Sequence, residues 1–239
     1  MDRALSYRLL GDTGGGSSFG LDTRGVRLEM EYRTKEEQVA DYLRERIISG
    51  VYQRGSRLKQ AEIAEQLNLS ITPVREALKL LEAEGYVSGD SYRGARVVPF
   101  DAGASGEILS LRLMLEAQLV RGAAERATSE DLAELKKLAD EFAEAFKTGN
   151  RAIARGVNYR FHRRMYDIAG MPQTLHFVQI LWARYPFDLI NAAQGRGDDA
   201  VKEHDEILAA LASGDVSAAV LSMRKHIESG WTVLKEVNS

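Results

Sequence analysis

The chain has 239 residues, of which 44% are hydrophobic and 28% charged, and its formal net charge at pH 7 is −3. It contains no cysteine, which excludes a disulfide framework and a thiolate metal site. No run of about eighteen apolar residues and no signal-peptide core occur in it, so we expect a cytoplasmic protein without a membrane partner.

Three segments differ in pattern, and a chain of this length suits two domains. Residues 1–33 include a glycine- and serine-rich stretch, Gly11 to Ser18, and show no hydrophobic period. This composition is typical of a flexible tail. We expect the first domain over residues 34–99 and the second over residues 100–239.

Residues 34–99 begin with a helical stripe from Val39 to Ile48, which Gly50 ends. Residues 58–85 then predict two short helices joined by a tight turn. Ser70 stands at the N-cap of the second helix and Gly85 just past its end. Its buried stripe consists of Val74, Leu78 and Leu81. Two short strands follow, at residues 86–88 and 95–98, with turn residues between them.

A helix-turn-helix followed by a hairpin is the pattern of a winged helix that binds DNA, and an ordinary helical hairpin is the alternative. The residues expected to reach DNA lie on the two short helices and at the hairpin tip. They are Lys59, Gln60, Ser70, Ile71, Thr72, Arg75, Lys79, Arg93 and Gly94. The tail could alternatively serve as an arm in the minor groove.

Bulk charge does not explain such binding. Residues 34–99 hold ten basic and ten acidic residues, and residues 100–239 hold seventeen and twenty. Phosphate binding must therefore depend on a local basic face.

Residues 100–239 predict an antiparallel bundle of about six helices, so the fold class is mainly α. Ser129 is the expected N-cap of the second of these helices, and Pro186 is expected to kink the fourth. The first predicted range is 104–127, the helix after Ser129 has a buried stripe from Leu132 to Phe146, and the further ranges are 151–169, 173–192, 199–212 and 216–236.

Three histidines are expected to meet inside this bundle. His162 follows Asn158 by four residues, so both lie on one helix face. His204 and His226 are each about eleven residues from the turn at residues 214–215, which places them at one height in a helical hairpin. Three imidazoles with an amide oxygen suit a first-row divalent ion, with Zn²⁺ or Ni²⁺ expected.

Three interpretations of the second domain stay open at this point. Each histidine alone could be an ordinary hydrogen-bonded polar residue. Three histidines with an open position also suit a metal-dependent hydrolase, although no general base is evident beside them. The domain could finally serve only for dimerisation.

Residues 38–98 resemble the winged helix of the GntR superfamily of transcription regulators. The matching segments are residues 39–44, Ile48-Ser49-Gly50, residues 70–78, residues 81–85 and residues 93–97. The resemblance implies a homodimer that binds an inverted repeat in double-stranded DNA. The family usually has arginine where this chain has Ile71, so part of the usual DNA contact is expected to be missing.

Residues 104–230 resemble the FCD domain of the FadR subfamily. The matching words are Leu111-Arg112, Leu115-Glu116, Phe161-His162, Ala169-Gly170, Glu203-His204, residues 207–211, Gly214-Asp215 and Arg224-Lys225-His226. The resemblance implies a small organic acid, bound beside the metal, that controls a regulator expected to be a repressor. Many members have aspartate where this chain has Asn158, and a neutral amide is the weaker donor.

The carboxylate of such an effector needs a cationic partner. Arg112 is the first candidate for it, and a salt bridge to Glu116 is the alternative use of its charge. Arg184, Tyr185 and Asn191 are further candidates to bind the effector.

Overall fold

A computed structural model describes residues 34–89, 95–100, 105–185, 187 and 196–237. The expected tail at residues 1–33, the wing tip with Arg93 and Gly94, and the positions of Pro186 and Asn191 lie outside these residues. The described part is mainly helical with one small sheet, which confirms the expected fold class.

The elements follow one another in two groups. The first contains α1 Lys35–Ile48, β1 Arg57–Leu58, α2 Gln60–Leu67, α3 Ile71–Ala83, β2 Val87–Ser88 and β3 Ala95–Val97. The second contains α4 Ser105–Arg126, α5 Ser129–Lys147, α6 Arg151–Ile168, α7 Pro172–Ala183, α8 Arg196–Ser213 and α9 Val216–Val237.

The first group forms a winged helix. Thr34 and Glu37 form a capping box at the start of α1, in which each side chain accepts the other's backbone N–H. Ser70 is the N-cap of α3, as expected, but its side chain makes no capping hydrogen bond. The apolar stripes of α1 and α3 pack together, and their buried residues include Leu43, Leu78 and Leu81.

The sheet has the strand order β1-β3-β2, with both pairs antiparallel. Leu58 is opposite Ala95, and Val87 is opposite Val97. The strand β1 was not expected from the sequence, because two residues are too short to show an alternating pattern.

The second group is the expected bundle, in which α6 lies against α5, and α9 lies against α4 and α8. Gly170 and Gly214 end α6 and α8 with positive φ angles of 63° and 69°. Both angles lie in the left-handed region that glycine adopts most easily. The helices therefore end at the breaks that were predicted from these glycines.

Two expectations about the bundle were wrong. The N-cap of α5 is Thr128 and not Ser129, because Thr128 has the extended backbone and shares a capping box with Asp131. Helix α7 ends at Ala183 and does not continue to residue 192. The kink expected at Pro186 lies outside the described residues, so only the end of α7 at Ala183 differs from the predicted range 173–192.

Candidate functional site

The histidines predicted to meet do so in the bundle core. His162 on α6, His204 on α8 and His226 on α9 each offer a ring nitrogen, and these atoms lie within 4.8 Å of one another. The ring centroids are 5.4 Å apart for His162 and His204, 4.9 Å for His162 and His226, and 5.1 Å for His204 and His226. All three side chains are buried.

Several nitrogen atoms in this cluster have no hydrogen-bond partner. Both ring nitrogens of His204 and the Nδ1 atom of His162 are buried without one. Leaving a buried polar atom unpaired costs free energy, so such atoms indicate a missing partner. A divalent ion that binds one nitrogen of each ring would provide a partner for His204 through one of its two nitrogens, and the three residues therefore fit a metal ion.

The protonation state of the cluster also suits a metal. Burial lowers the pKa of His162 and of His204 well below the usual value, and the nearby His226 and Arg196 lower it further. Burial likewise lowers the pKa of His226, although the Glu203 carboxylate opposes that effect. All three imidazoles are therefore neutral at pH 7, and only neutral imidazole ligates a metal.

A buried carboxylate orients the third histidine. Glu203 on α8 accepts a hydrogen bond of 2.8 Å from Nδ1 of His226, which leaves the Nε2 atom of that ring free of a proton. Glu203 also accepts a hydrogen bond of 2.7 Å from Arg196. A carboxylate behind a ligating imidazole fixes its tautomer and raises its basicity.

The cluster opens into a cavity of about 40 Å³. Among the expected site residues, Arg112, Asn158 and Tyr185 line it together with His162 and His226. Asn158 thus lies on the cavity wall one turn before His162, where an oxygen ligand was expected. Arg184 is exposed and is not part of this wall, because α7 has ended and the residue lies beside Gly85.

Arg112 makes the salt bridge to Glu116 and also lines the cavity where an effector carboxylate was expected. Its Nε atom donates to Glu116 at 2.5 Å, and Glu116 also accepts from the Tyr166 hydroxyl and the Trp182 indole. The guanidinium carbon of Arg112 lies 4.1 Å from the centroid of the Tyr185 ring. Arg112 is therefore a buried, oriented cation at the edge of the cavity.

Sequence reasoning missed Arg196, Glu203, Trp182 and Phe187. Arg196 and the two aromatic residues line the cavity, and Glu203 lies behind His226. A signal existed for Glu203, since it precedes His204 directly. No sequence pattern indicated a site role for Arg196, because the sequence predicts a break between helices at that position.

The first turn of α3 is open to solvent in the winged helix. Ser70, Ile71 and Thr72 are exposed, and Ile71 keeps 50% of its surface accessible. Lys59, the N-cap of α2, is also exposed, and Gln60 at the start of α2 is half-buried. An exposed helix N-terminus with short polar side chains is suited to phosphates and base edges.

The two basic residues further along α3 share an acidic neighbour. Arg75 and Lys79 are half-buried, and both contact the carboxylate of Glu76, at 3.4 Å and 3.1 Å. These surface ion pairs are weak enough to be exchanged for phosphate contacts.

Comparison with known proteins identifies both halves of the chain. The profile of bacterial regulatory proteins of the gntR family matches residues 35–97, and the FCD domain profile matches residues 107–229. The HTH-type transcriptional regulator McbR of Escherichia coli K12 is 31% identical over 193 residues, which cover 78% of this chain and 86% of that protein. The chain belongs to the GntR family.

Solved structures agree with this assignment. The structure of E. coli McbR/YncC matches with a TM-score of 0.73 and 28% identity, over 87% of this chain and all of that one. A putative GntR regulator from Rhodococcus sp. RHA1 has the same fold, with a TM-score of 0.62 and 23% identity over 84% of this chain and 98% of that one. This GntR protein is therefore a transcription regulator with an FCD domain, and its relatives are regulators and not enzymes.

No helix in the described ranges is both long and apolar enough to cross a membrane.

Proposed function

We propose that this GntR protein is a cytoplasmic repressor whose affinity for a palindromic operator is controlled by a small organic acid bound beside a divalent metal. The observation that carries the proposal is the convergence of three buried histidines with unpartnered nitrogens at the edge of a cavity. A relative 28% identical, from Paenarthrobacter nicotinovorans, is a probable D-xylose utilization operon transcriptional repressor, which supports repression.

On the DNA side, the chain would act as a homodimer. Each winged helix would occupy one half-site, since two-fold symmetry in the protein requires a matching inverted repeat. The exposed first turn of α3, with Ser70 and Thr72, would enter the major groove. Lys59 and Gln60 would contact the backbone beside it, and Arg75 and Lys79 would reach phosphates or base edges. The wing residues Arg93 and Gly94 complete this proposed surface.

On the effector side, His162, His204 and His226 would hold one Zn²⁺ or Ni²⁺ ion per subunit, with Asn158 as an oxygen donor. The bound ion would supply a Lewis-acidic position for a carboxylate oxygen. Arg112 and Arg196 would bind and orient the anion, and the ring of Tyr185 would exclude water from one side. Arg184, which is exposed beside Gly85 and outside the cavity wall, is not part of this proposal, and Asn191, outside the described residues, remains a proposed contact.

Both buried arginines are already paired with a glutamate, at 2.5 Å for Arg112 and Glu116 and 2.7 Å for Arg196 and Glu203. Each pair is close to neutral, and the three imidazoles are uncharged. The cavity would therefore take its net charge from the ion, which favours an anionic ligand of small size over a neutral one.

The test is the metal content of purified protein after reconstitution with Zn²⁺, Ni²⁺ or Mn²⁺. We expect one ion per subunit in the wild type, none in His204→Ala, and tighter binding in Asn158→Asp because a carboxylate replaces an amide. The matched control is His176→Ala, since His176 is exposed on α7. The absence of metal from both the wild type and Asn158→Asp would contradict the metal site.

A thermal-shift screen of metabolic carboxylates then tests the effector. A ligand that binds only the native state raises the melting temperature by mass action. We expect stabilisation of the metal-loaded wild type and none of His204→Ala, which should still bind the operator. Metal binding without any carboxylate response would favour a domain used only for dimerisation.

A further inference from the structure

The turn that follows α7 contacts both the metal cavity and the winged helix. The ring of Tyr185 lines the cavity and is only 2% exposed. The backbone carbonyl of the same residue accepts a hydrogen bond of 2.8 Å from the Nη2 atom of Arg54. One residue therefore presents its side chain to the cavity and its main chain to the DNA-binding domain.

Arg54 belongs to the winged helix and lies between α1 and β1. Its second terminal nitrogen, Nη1, is 3.3 Å from the carbonyl oxygen of Val98, directly after β3. The next residue, Gly55, donates its N–H to the carbonyl of Val97 at 2.8 Å. The guanidinium of Arg54 thus joins the cavity wall to the last strand of the wing sheet.

Charge that enters the cavity acts on this wall through Arg112. A dication repels the Arg112 guanidinium and a carboxylate attracts it, and both forces are strong in a buried site. The guanidinium carbon lies 4.1 Å from the centroid of the Tyr185 ring, so a shift of the cation changes its contact with that ring. Because the ring and the carbonyl belong to one buried residue, we expect a displacement of the ring to shift the carbonyl of Tyr185 as well.

From these contacts we propose that the hydrogen bonds from Arg54 to Tyr185 and Val98 transmit the occupancy of the metal cavity to the wing sheet. This inference rests on the proposed function, because it needs a metal or an effector in the cavity. It assigns to Arg54 a positioning role in regulation that requires no contact of Arg54 with DNA or with the ligand.

A second arginine provides a matched control. Arg155 on α6 also joins the bundle to the winged helix, since its Nε atom donates to the backbone carbonyl of Ser49 at 2.5 Å. Arg155 does not line the cavity. Removal of Arg155 therefore also breaks an arginine–carbonyl contact between the two parts of the chain, but it leaves the Tyr185 wall intact.

The experiment is hydrogen exchange on the full-length protein, with Zn²⁺ or with EDTA. The reporters are peptides that cover residues 53–58 and 95–98, where the amides of Gly55 and Val97 bond to the sheet. In the wild type we expect Zn²⁺ to change their exchange rates by about fivefold or more, the lower range of typical coupling between sites. In Arg54→Ala the two states should exchange alike, and in Arg155→Ala the wild-type difference should persist.

Arg54→Lys keeps the charge but not the planar fork that reaches two carbonyls, so it should also lose the response. This variant keeps the test decisive if Arg54→Ala does not fold. A DNA fragment selected in vitro with the wild type provides a second readout, as the ratio of its affinities with Zn²⁺ and with EDTA. That ratio should move toward one in both Arg54 variants and stay unchanged in Arg155→Ala.

Metal analysis of the same samples distinguishes the possible failures. Zn²⁺ bound by the wild type without a change in the reporter peptides would overturn the role of Arg54. An equal response in the wild type and in both Arg54 variants would overturn it as well. A wild type that binds neither Zn²⁺ nor Ni²⁺ would overturn the proposed metal site, and this inference with it.

Discussion

At the scale of single residues, the cavity is organised by buried ion pairs. Arg196 and Glu203 are each about 5% exposed, and their contact is 2.7 Å. Removal of one partner from such a pair leaves an uncompensated buried charge, which typically costs about 3–5 kcal/mol. Glu203 in addition orients His226, so its carboxylate is expected to affect both the stability of the protein and its affinity for metal.

Glu203→Gln tests the orienting role, because it keeps the size of the side chain and removes its charge. The amide accepts hydrogen bonds less strongly than a carboxylate, so the His226 ring loses basicity and orientation. We expect metal affinity to fall about 10–100-fold, the usual effect of losing such a partner. Titration against a competing chelator measures it. Glu206→Gln is the control, since Glu206 is exposed on the same helix and pairs with Lys225. Equal affinities in the two variants would contradict the orienting role.

The sequence predicted the ligand residues but not the residues that support them. His204 and His226 could be placed at one height because they lie at similar distances from one turn, and helical spacing places His162 on the same face as Asn158. Arg196 and Glu203 follow no such rule, because their orientation depends on where α8 begins and on how it faces α9. Arg112 was found, but only the structure shows that one side chain both pairs with Glu116 and faces the cavity.

At the scale of elements, helix α3 has isoleucine at position 71, where the family usually has an arginine that contacts DNA. Ile71 at its start keeps half of its surface exposed. We therefore expect Ile71→Arg to strengthen operator binding and to steepen its salt dependence by about one unit, because one more phosphate is neutralised.

Arg75→Ala should act in the opposite direction and cost about 1–3 kcal/mol of binding free energy if Arg75 reads a guanine. Fluorescence anisotropy at several salt concentrations measures both, and an unchanged slope in Ile71→Arg would contradict the first expectation.

The start of α5 provides a pH-dependent element. Burial raises the pKa of Asp131, but hydrogen bonds from Thr128 and the charge of Arg164 outweigh burial and leave that pKa lowered. A carboxyl whose pKa is lower in the folded than in the unfolded state stabilises the fold above its unfolded pKa of about 3.9. That stabilisation is lost as pH falls through the folded pKa.

Asp131→Asn should therefore lower the free energy of unfolding by about 1 kcal/mol at pH 7, because it removes a negative charge from the first turn of a helix. The difference from the wild type should shrink as pH falls below about 4. Urea denaturation at several pH values measures it. Asp140→Asn is the control, because its exposed pair with Lys136 should contribute little. A difference that does not change with pH would show that the charge of Asp131 is not its source.

Element boundaries were predictable where one residue decides them. Glycines at positions 170 and 214 end helices as expected. Helix α7 ends at Ala183, before Pro186, and a proline in the sequence does not by itself determine whether a helix ends ahead of it or is kinked by it. Thr128 and Ser129 are both good N-caps, and only the backbone conformation of Thr128 distinguishes them.

At the scale of the whole molecule, the winged helix is fastened to the bundle of its own chain. Arg160 on α6 contacts Glu45 on α1 at 2.5 Å. Gly156 lies one turn earlier on α6, next to Glu45. A Cβ atom added at Gly156 would lie 2.8 Å from a carboxylate oxygen of Glu45, so the glycine makes room for that side chain. With the contact from Arg155 to Ser49, these interactions fix the direction in which α3 points relative to the helical domain.

A homodimer joined through its bundles would consequently hold its two recognition helices at one distance. We expect strict half-site spacing in the operator. An insertion of 5 base pairs between the half-sites places them on opposite faces of the DNA, and an insertion of 10 moves them apart by about 34 Å on the same face. Both insertions should reduce affinity on the order of 100-fold, because only one winged helix can then bind at a time. Gel-shift titration measures this. Full affinity for the 10-base-pair insertion would mean that the winged helices move freely relative to the bundles, and that the contacts of α6 with α1 do not set the geometry of DNA binding.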